Sequence, residues 1–240
     1  MKIGIIISTY QRKDGKTPFY LNRTLESILS QTHKNFKIFL IGDRYENPEE
    51  FESYSEKIKH VDYVSINLPV AYERDFYGDN KNALWSYAGT YATNYGLDLC
   101  EKEGIEFVIT LNHDDWWYEN HLEEFVKCYN EFKCDFMCTK STYANSNQFL
   151  PNIQMEGEYF LFNPRYAGLI HSSAIINIKK IPLRYIDIFK KTGKVGLPGD
   201  GDYWERVTQK MISDKLTGIF INKLTCRHDE EGYEKKQSKI

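Results

Sequence analysis

Short apolar runs alternate with amphipathic stretches along the first 140 residues of the chain. The strongest runs, at 2–8, 36–42 and 105–111, are rich in β-branched residues. Continuous apolar runs of this length are typical of strands that are buried on both faces of a parallel sheet. Because they alternate with helical patterns, we predict an α/β fold with a Rossmann-like, open and mostly parallel sheet flanked by helices.

Helices are predicted between these strands. Residues 47–58 begin with Asn47 as an N-cap, and Glu50 follows three residues later, which is a helix-start pattern. Residues 83–100 are predicted to form one continuous helix. Beyond residue 140 the periodicity weakens, and no repeat or linker divides the chain.

Composition excludes several classes of protein. A formal net charge of −3 and a pI of about 6.1 argue against a protein that binds nucleic acid through phosphate neutralisation. No apolar stretch approaches the roughly 20 residues of a membrane span, and the first residues lack a signal-peptide pattern. Five cysteines without a C-x-x-C pair favour reduced thiols. We therefore expect a cytoplasmic protein without a transmembrane segment, with peripheral attachment to a membrane left open.

Polar residues follow three of the predicted strands. Ser8-Thr9-Tyr10 ends the strand predicted at 2–8, and Asp43 ends the strand predicted at 36–42. The NHDD sequence at 112–115 ends the strand predicted at 105–111. In open α/β sheets the ligand crevice lies beyond the carboxyl ends of the strands. We expect these three groups to lie on one rim of the sheet and to form one site.

The adjacent carboxylates of Asp114 and Asp115 need a partner, because a buried and unpaired carboxylate is costly. One interpretation is a divalent cation, coordinated by one carboxylate while the other reaches a ribose hydroxyl or a metal-bound water. The alternative is a helix N-terminus with acidic residues in its first turn. The apolar strand before the pair and Trp116-Trp117 after it favour the cation.

Two further candidates lie near the end of the sequence. Asp200 and Asp202 occupy a glycine-flanked loop before a helix predicted at 202–212, and glycine lets the backbone approach a ligand. Asp202 could equally serve only to cap that helix. His228 follows a last strand predicted at 218–224, although a lone histidine is more often a surface or core residue than a metal ligand.

Together these segments resemble the family 2 glycosyltransferases of the GT-A fold, which use nucleotide-diphosphate sugars and are mostly inverting. The resemblance runs in colinear order from IGIIISTYQR through LESILSQTHKNFKIFLIGD and TLNHDDWWYENHL to GDGDYWERV, over about residues 2–210. It implies one domain over residues 1–230, with a nucleotide-binding half at 1–115 and an acceptor-binding half at 116–230. Residues 231–240 are expected to be a flexible tail.

The resemblance implies three groups of site residues. Mn²⁺ or Mg²⁺ would be bound by Asp115 and His228, and Asp200 would be the general base, although Gly199 stands where many members have Glu. The helix near Ala88 lacks the basic residue that many members carry. Trp116, Trp117 and Trp204 either pack on sugar faces or fill the core. The nucleotide-sugar would contact Thr9, Tyr10, Arg12, Asp43, Asp114 and Trp116.

We therefore expect a metal-dependent, inverting glycosyltransferase that moves a sugar from a nucleotide-diphosphate donor, with UDP favoured, to a hydroxyl acceptor such as a glycan. One alternative is a nucleotidyltransferase that makes sugar nucleotides, but the basic glycine-rich signature expected after the first strand is poorly matched by STYQRKDGK. Another is a non-catalytic module that binds nucleotides or carbohydrates. The sequence also lacks the P-loop, dinucleotide-binding, G-x-S-x-G and H-E-x-x-H motifs.

Overall fold

One mixed sheet organises the chain. The computed structural model describes residues 1–143, 148–154, 156–193 and 196–228. Within these ranges the strands are β1 (Ile3–Thr9), β2 (Phe36–Gly42), β3 (Tyr63–Asn67), β4 (Phe107–Asn112), β5 (Trp116–Trp117), β6 (Phe136–Thr142), β7 (Phe149–Leu150), β8 (Tyr159–Leu161), β9 (Ala174–Asn177) and β10 (Gly218–Arg227). They join in the order β3-β2-β1-β4-β9-β6-β10-β5, while β7 pairs with β6 and β8 with β10.

The first half of the sheet is parallel, as predicted. Ile3 of β1 lies opposite Phe36 of β2 on one side and Phe107 of β4 on the other. The β-branched run of β1 is almost entirely buried, as expected for a central strand covered on both faces. The carboxyl ends of β1, β2 and β4 therefore meet at one rim. The predicted α/β fold class is confirmed.

The second half of the sheet contains antiparallel pairs that the sequence pattern did not predict. β9 runs antiparallel to both of its neighbours, β4 and β6. β6 and β10 are parallel, with two register shifts between Ile221 and Cys226. The end of β10 pairs antiparallel with β5, which places Arg227 opposite Trp116. This pairing brings the end of the last strand back to the rim.

The helices largely follow the predicted pattern, with two corrections. The loop predicted to hold Asp200 and Asp202 before a helix at 202–212 is wrong, because the helix already begins at Gly199. Asn47 caps its helix as predicted, because its side chain accepts from the backbone N–H groups of Glu49 and Glu50. The single helix predicted at 83–100 is wrong: the chain breaks at Gly89, whose φ of +82° is unfavourable for residues with a Cβ. The α-helices are α1 (Thr17–Leu29), α2 (Pro48–Ile58), α3 (Tyr72–Tyr77), α4 (Lys81–Tyr87), α5 (Thr90–Lys102), α6 (His121–Phe132), α7 (Ile188–Thr192) and α8 (Gly199–Asp214).

Two apolar clusters sandwich the sheet. Helices α1, α2 and α6 cover one face, and α5 and α8 cover the other. Helix α5 approaches β1 so closely that a Cβ added at Gly96 would lie 2.5 Å from Cγ2 of Ile6. All five cysteines fall within the described ranges and are buried thiols outside any disulfide. Among the described helices, none combines the length and apolar character needed to cross a membrane. The tail predicted at 231–240 lies outside the described residues.

Candidate active site

Strand β4 carries the acidic pair to the rim, where hydrogen bonds fix the direction of Asp115. The Asp115 side chain is fully buried, and its Oδ2 accepts from Oγ of Ser172 at 2.5 Å and from Nδ2 of Asn112 at 3.3 Å. Oγ1 of Thr24 donates to the backbone carbonyl of Asp115 at 2.7 Å. The local fold therefore holds both the backbone and one carboxylate oxygen of Asp115.

The other carboxylate oxygen of Asp115 faces His228. Nδ1 of His228 lies 2.8 Å from Oδ1 of Asp115, and the two residues are 113 positions apart in the sequence. His228 directly follows β10, whose antiparallel pairing with β5 delivers it to this position. The structure thus brings together the two residues that the sequence proposed as metal ligands.

This carboxylate and imidazole form a two-residue donor set. Within the described ranges, no group of three or more His, Cys, Asp or Glu side chains is arranged to hold a metal ion. Carboxylate oxygen suits Mg²⁺ and Mn²⁺, and imidazole nitrogen suits transition metals. The donor chemistry of Asp115 and His228 therefore fits a divalent cation that draws its remaining ligands from water or from substrate oxygens.

Asp114 adds negative charge beside this donor set. Burial, together with the charge of the neighbouring Asp115, raises the pKa of Asp114 to about 7. Nη2 of Arg23 donates to the backbone carbonyl of Asp114 at 2.7 Å. Two adjacent, buried carboxyl groups disfavour double ionisation, and a bound cation would relieve this repulsion.

A second polar pocket lies at the ends of β1 and β2. Asp43 is 3% exposed, and Nε of Arg74 donates to its Oδ2 at 2.9 Å while Nη2 of Arg74 donates to its backbone carbonyl. Among the described residues, Oδ1 of Asp43 has no hydrogen-bond partner although it is buried. Burial raises the pKa of Asp43, and the charge of Arg74 opposes this rise. The pocket therefore presents one unsatisfied acceptor.

Tyr10 connects this pocket to the acidic pair. The guanidinium of Arg74 lies 5.5 Å from the centroid of the Tyr10 ring, which is within cation–π range. The ring of His113 meets Tyr10 edge-on, with centroids 5.1 Å apart. His113 is buried, and burial lowers its pKa to about 4. Tyr10, Asp43 and the acidic pair thus share one rim.

The other predicted nucleotide contacts already have protein partners. The hydroxyl groups of Thr9 and Tyr45 are hydrogen-bonded to each other at 2.7 Å, and Thr9 is buried. Arg12 donates to both carboxylate oxygens of Asp14, at 2.9 and 2.7 Å. Trp116 is half-buried, with the guanidinium of Arg227 5.7 Å from its ring. Of these residues, Trp116 presents the most open face.

The candidate base lies in the first turn of α8. Asp200 is exposed, and its Oδ1 accepts from the N–H of Gly201 at 2.8 Å. Burial lowers the pKa of His171, and the charges of Asp200 and Asp115 both oppose this shift. Asp200 and Asp115 therefore lie within electrostatic range of the same imidazole. Asp202, by contrast, pairs with Arg206 at 2.7 Å along the same helix.

Two of the three candidate tryptophans fill the core. Trp117 is buried, donates its Nε1–H to the carbonyl of Ser172 at 2.8 Å and stacks on His121. Trp204 is buried against Phe136. Only Trp116, among these three, remains available to a ligand.

Arg74 and Ser172 are the site residues that the sequence analysis missed. Arg74 lies on α3, a short helix without clear periodicity, and Ser172 lies in a 3₁₀ turn directly before the short strand β9. One signal was present: a buried carboxylate such as Asp43 at a strand end requires a cationic partner. The sequence did not show which of several arginines would supply it.

Comparison with known proteins identifies the family. The chain is 38% identical over 240 residues to uncharacterized glycosyltransferase R139 of Acanthamoeba polyphaga mimivirus, covering 97% of this chain and 95% of that protein. No family model matches the chain.

Solved structures share the fold. S. aureus TarS 1-349 in complex with UDP-GlcNAc matches with a TM-score of 0.70 and 14% identity, over 100% of this chain and 62% of that one. The mannosyltransferase PcManGT from Pyrobaculum calidifontis, in complex with GDP-Man and Mn²⁺, matches with a TM-score of 0.58 and 12% identity, over 97% and 59%. The chain thus spans less than two thirds of either solved protein. Its architecture is that of these enzymes, and its similarity to the mimivirus protein shows that the chain belongs to the glycosyltransferases.

Proposed function

We propose that the protein is a metal-dependent, inverting glycosyltransferase of the family 2 type that uses a UDP-sugar. The observation that carries this proposal is the pairing of Asp115 with His228, 2.8 Å apart, on the rim that also holds Asp43, Tyr10 and Asp200. Support also comes from the fold shared with TarS, which was solved with UDP-GlcNAc. A divalent cation, when bound, would neutralise the diphosphate of the donor and stabilise it as a leaving group.

Asp43 and Arg74 favour uracil as the base. Oδ2 of Asp43 is taken by Arg74, so that Oδ1 is the acceptor left for a ligand among the described residues. The imide N–H of uracil is a single donor that matches this single acceptor, whereas the edge of guanine presents donors on two adjacent nitrogens. The ring of Tyr10 beside Arg74 offers a stacking surface for the base.

Asp200 has the exposure required of a general base. It would accept the proton from an acceptor hydroxyl as that oxygen attacks the anomeric carbon from the face opposite the diphosphate, which inverts the configuration. Asp114 directly precedes Asp115, the proposed cation ligand. We therefore assign Asp114 to a ribose hydroxyl or a cation-bound water, and Asp200 to the acceptor hydroxyl.

The decisive experiment compares two aspartates on one helix. Asp200→Asn should lower sugar transfer about 10²- to 10⁴-fold, the usual contribution of a general base. The dissociation constant for UDP with Mn²⁺, measured by calorimetry, should stay within twofold of wild type. Asp202→Asn is the matched control, because Asp202 lies on the same turn but is paired with Arg206. Full transfer by the Asp200 variant would remove Asp200 from the mechanism.

A donor panel tests the remaining parts of the proposal. Hydrolysis of UDP-, GDP- and TDP-sugars with Mn²⁺ should favour the UDP donors, and NMR of the product should show an inverted anomeric centre. Release of pyrophosphate from UTP and a sugar phosphate would indicate the nucleotidyltransferase alternative. Metal-independent UDP binding without any donor turnover would indicate the non-catalytic module.

A further inference from the structure

A segment next to the candidate base is pinned to helix α8 at two points. Oγ1 of Thr208 donates to the backbone carbonyl of Pro164, and the backbone N–H of Tyr166 donates to Oε1 of Glu205 at 3.0 Å. Directly after the second anchor, Ala167 adopts a φ of +54°, in the left-handed region that residues with a Cβ rarely occupy. The fold therefore holds the backbone of residues 164–168 in a defined and strained conformation beside α8.

This conformation lays the ring of Tyr166 against the turn that carries Asp200. A Cβ added at Gly201 would lie 2.4 Å from Cδ2 and 3.0 Å from Cε2 of Tyr166. Only glycine at position 201 allows the ring to approach the backbone this closely. Gly201 directly follows Asp200, so the ring packs on the residue next to the candidate base.

The ring remains available to a ligand. Tyr166 is 44% exposed, and Asp200 is exposed beside it. A half-exposed tyrosine is usually a packing residue at the edge of a core, and one ring face does pack on Gly201. The exposed part of the ring therefore lies at the helix turn that carries Asp200. An aromatic face of this kind suits the apolar C–H face of a sugar ring, whose hydroxyl groups project from the edge.

We propose that Tyr166 is the residue on which the acceptor stacks, and that the acceptor is a saccharide. This inference rests on the proposed function, because it takes Asp200 as the base. Stacking of one sugar face on Tyr166 would present an equatorial hydroxyl at the ring edge to Asp200. Tyr166 thereby determines acceptor specificity, whereas Asp43, Arg74 and the acidic pair hold the donor.

The test separates the ring from the base and from the donor pocket. The probes are N-acetylglucosamine, maltose and the methyl glycosides of glucose, galactose and mannose, each in large molar excess over the protein. Saturation-transfer NMR is recorded on protein loaded with UDP and Mn²⁺. Wild-type protein should transfer saturation to the ring C–H protons of at least one saccharide.

Three variants then define the contact. Tyr166→Ala should abolish the saccharide signal, and Tyr166→Phe should retain it because the ring is kept. Gly201→Ala should also weaken the signal by displacing the ring, without removing Tyr166. Phe132→Ala is the matched control, because the ring of Phe132 is similarly exposed. Phe132 ends α6, shortly before the amino end of β6, and therefore lies at the edge of the sheet opposite to the site.

Each outcome decides between the two proposals. The inference is overturned if no saccharide receives saturation, or if the signals of Tyr166→Ala match those of wild type. UDP binding is measured in the same samples by calorimetry. If wild-type protein does not bind UDP, the proposed function itself is overturned. If it binds UDP but its saccharide signals do not depend on Tyr166, only the acceptor site is overturned.

Discussion

Replacing Ser172 by alanine tests how Asp115 is held. Ser172 is completely buried, and its Oγ makes two hydrogen bonds: it donates to Oδ2 of Asp115 at 2.5 Å and accepts from the backbone N–H of Asn112 at 3.1 Å. Ser172→Ala removes one small atom and leaves both partners buried. The carboxylate then keeps the longer contact with Asn112 on this oxygen.

The magnitude follows from the two lost contacts. A hydrogen bond to a charged group contributes about 1.5–3 kcal/mol, and an unsatisfied backbone N–H adds about 1 kcal/mol. The free energy of unfolding should therefore fall by roughly 3 kcal/mol. Ser173→Ala is a matched control, since Ser173 is equally buried but donates only to the neutral carbonyl of Ile170, at 2.7 Å. Its loss should be about 1 kcal/mol.

Urea unfolding followed by circular dichroism measures both variants. The slope of the free energy against urea should stay unchanged, so that the midpoints report stability directly. UDP titration with Mn²⁺ should weaken in Ser172→Ala and stay normal in Ser173→Ala, because only the first frees Asp115 to rotate. A Ser172 variant that loses no more stability than the Ser173 variant would refute the view that Ser172 orients the carboxylate.

Three further variants test the rim. Glu73 is a buried residue of α3 within electrostatic range of Asp43, and burial raises its pKa from 4.5 to about 7. The folded protein therefore holds this proton more tightly, and stability should fall by roughly 3 kcal/mol as the pH rises from 4.5 to about 7. Glu73→Gln should remove this slope in urea unfolding, and an unchanged slope would contradict it. Arg74→Lys keeps the positive charge but loses the planar guanidinium that contacts Asp43. UDP affinity, measured by calorimetry, should therefore fall about tenfold. An unaltered dissociation constant would exclude Arg74 from the base pocket. His228→Ala should weaken Mn²⁺ binding to the UDP-loaded protein by roughly tenfold or more. The measurement is electron paramagnetic resonance of free Mn²⁺. An unchanged Mn²⁺ affinity would show that His228 is not a metal ligand.

The parallel half of the fold was predictable because its signal is local. The apolar run of β2 gave its bounds, Phe36–Gly42, directly, and Asn47 marked the start of α2. Parallel strands share a carboxyl edge, so the sequence also predicted that Tyr10, Asp43 and Asp115 would meet there. These inferences needed only periodicity and one topological rule.

The antiparallel half was not predictable in the same way. β9 is only four residues long, and β5 is two residues long, so neither carries a measurable period. Ser172 acquires its role only because the turn before β9 passes beside β4, a contact set by tertiary packing. Gly89 broke a helical pattern that the flanking apolar residues would otherwise have continued. The hydrogen-bond donors that surround Asp115 could therefore be identified only from the three-dimensional structure.

The position of β10 in the sheet has a consequence for how the site is assembled. This strand inserts between β6 and β5, and the residue that follows it is His228. The strands β1, β2 and β4 all lie within residues 3–112, whereas the partner of Asp115 is contributed from 113 positions further along the chain. Truncation before residue 218 should therefore remove the Asp115–His228 contact while leaving the residues of β1, β2 and β4 in the chain.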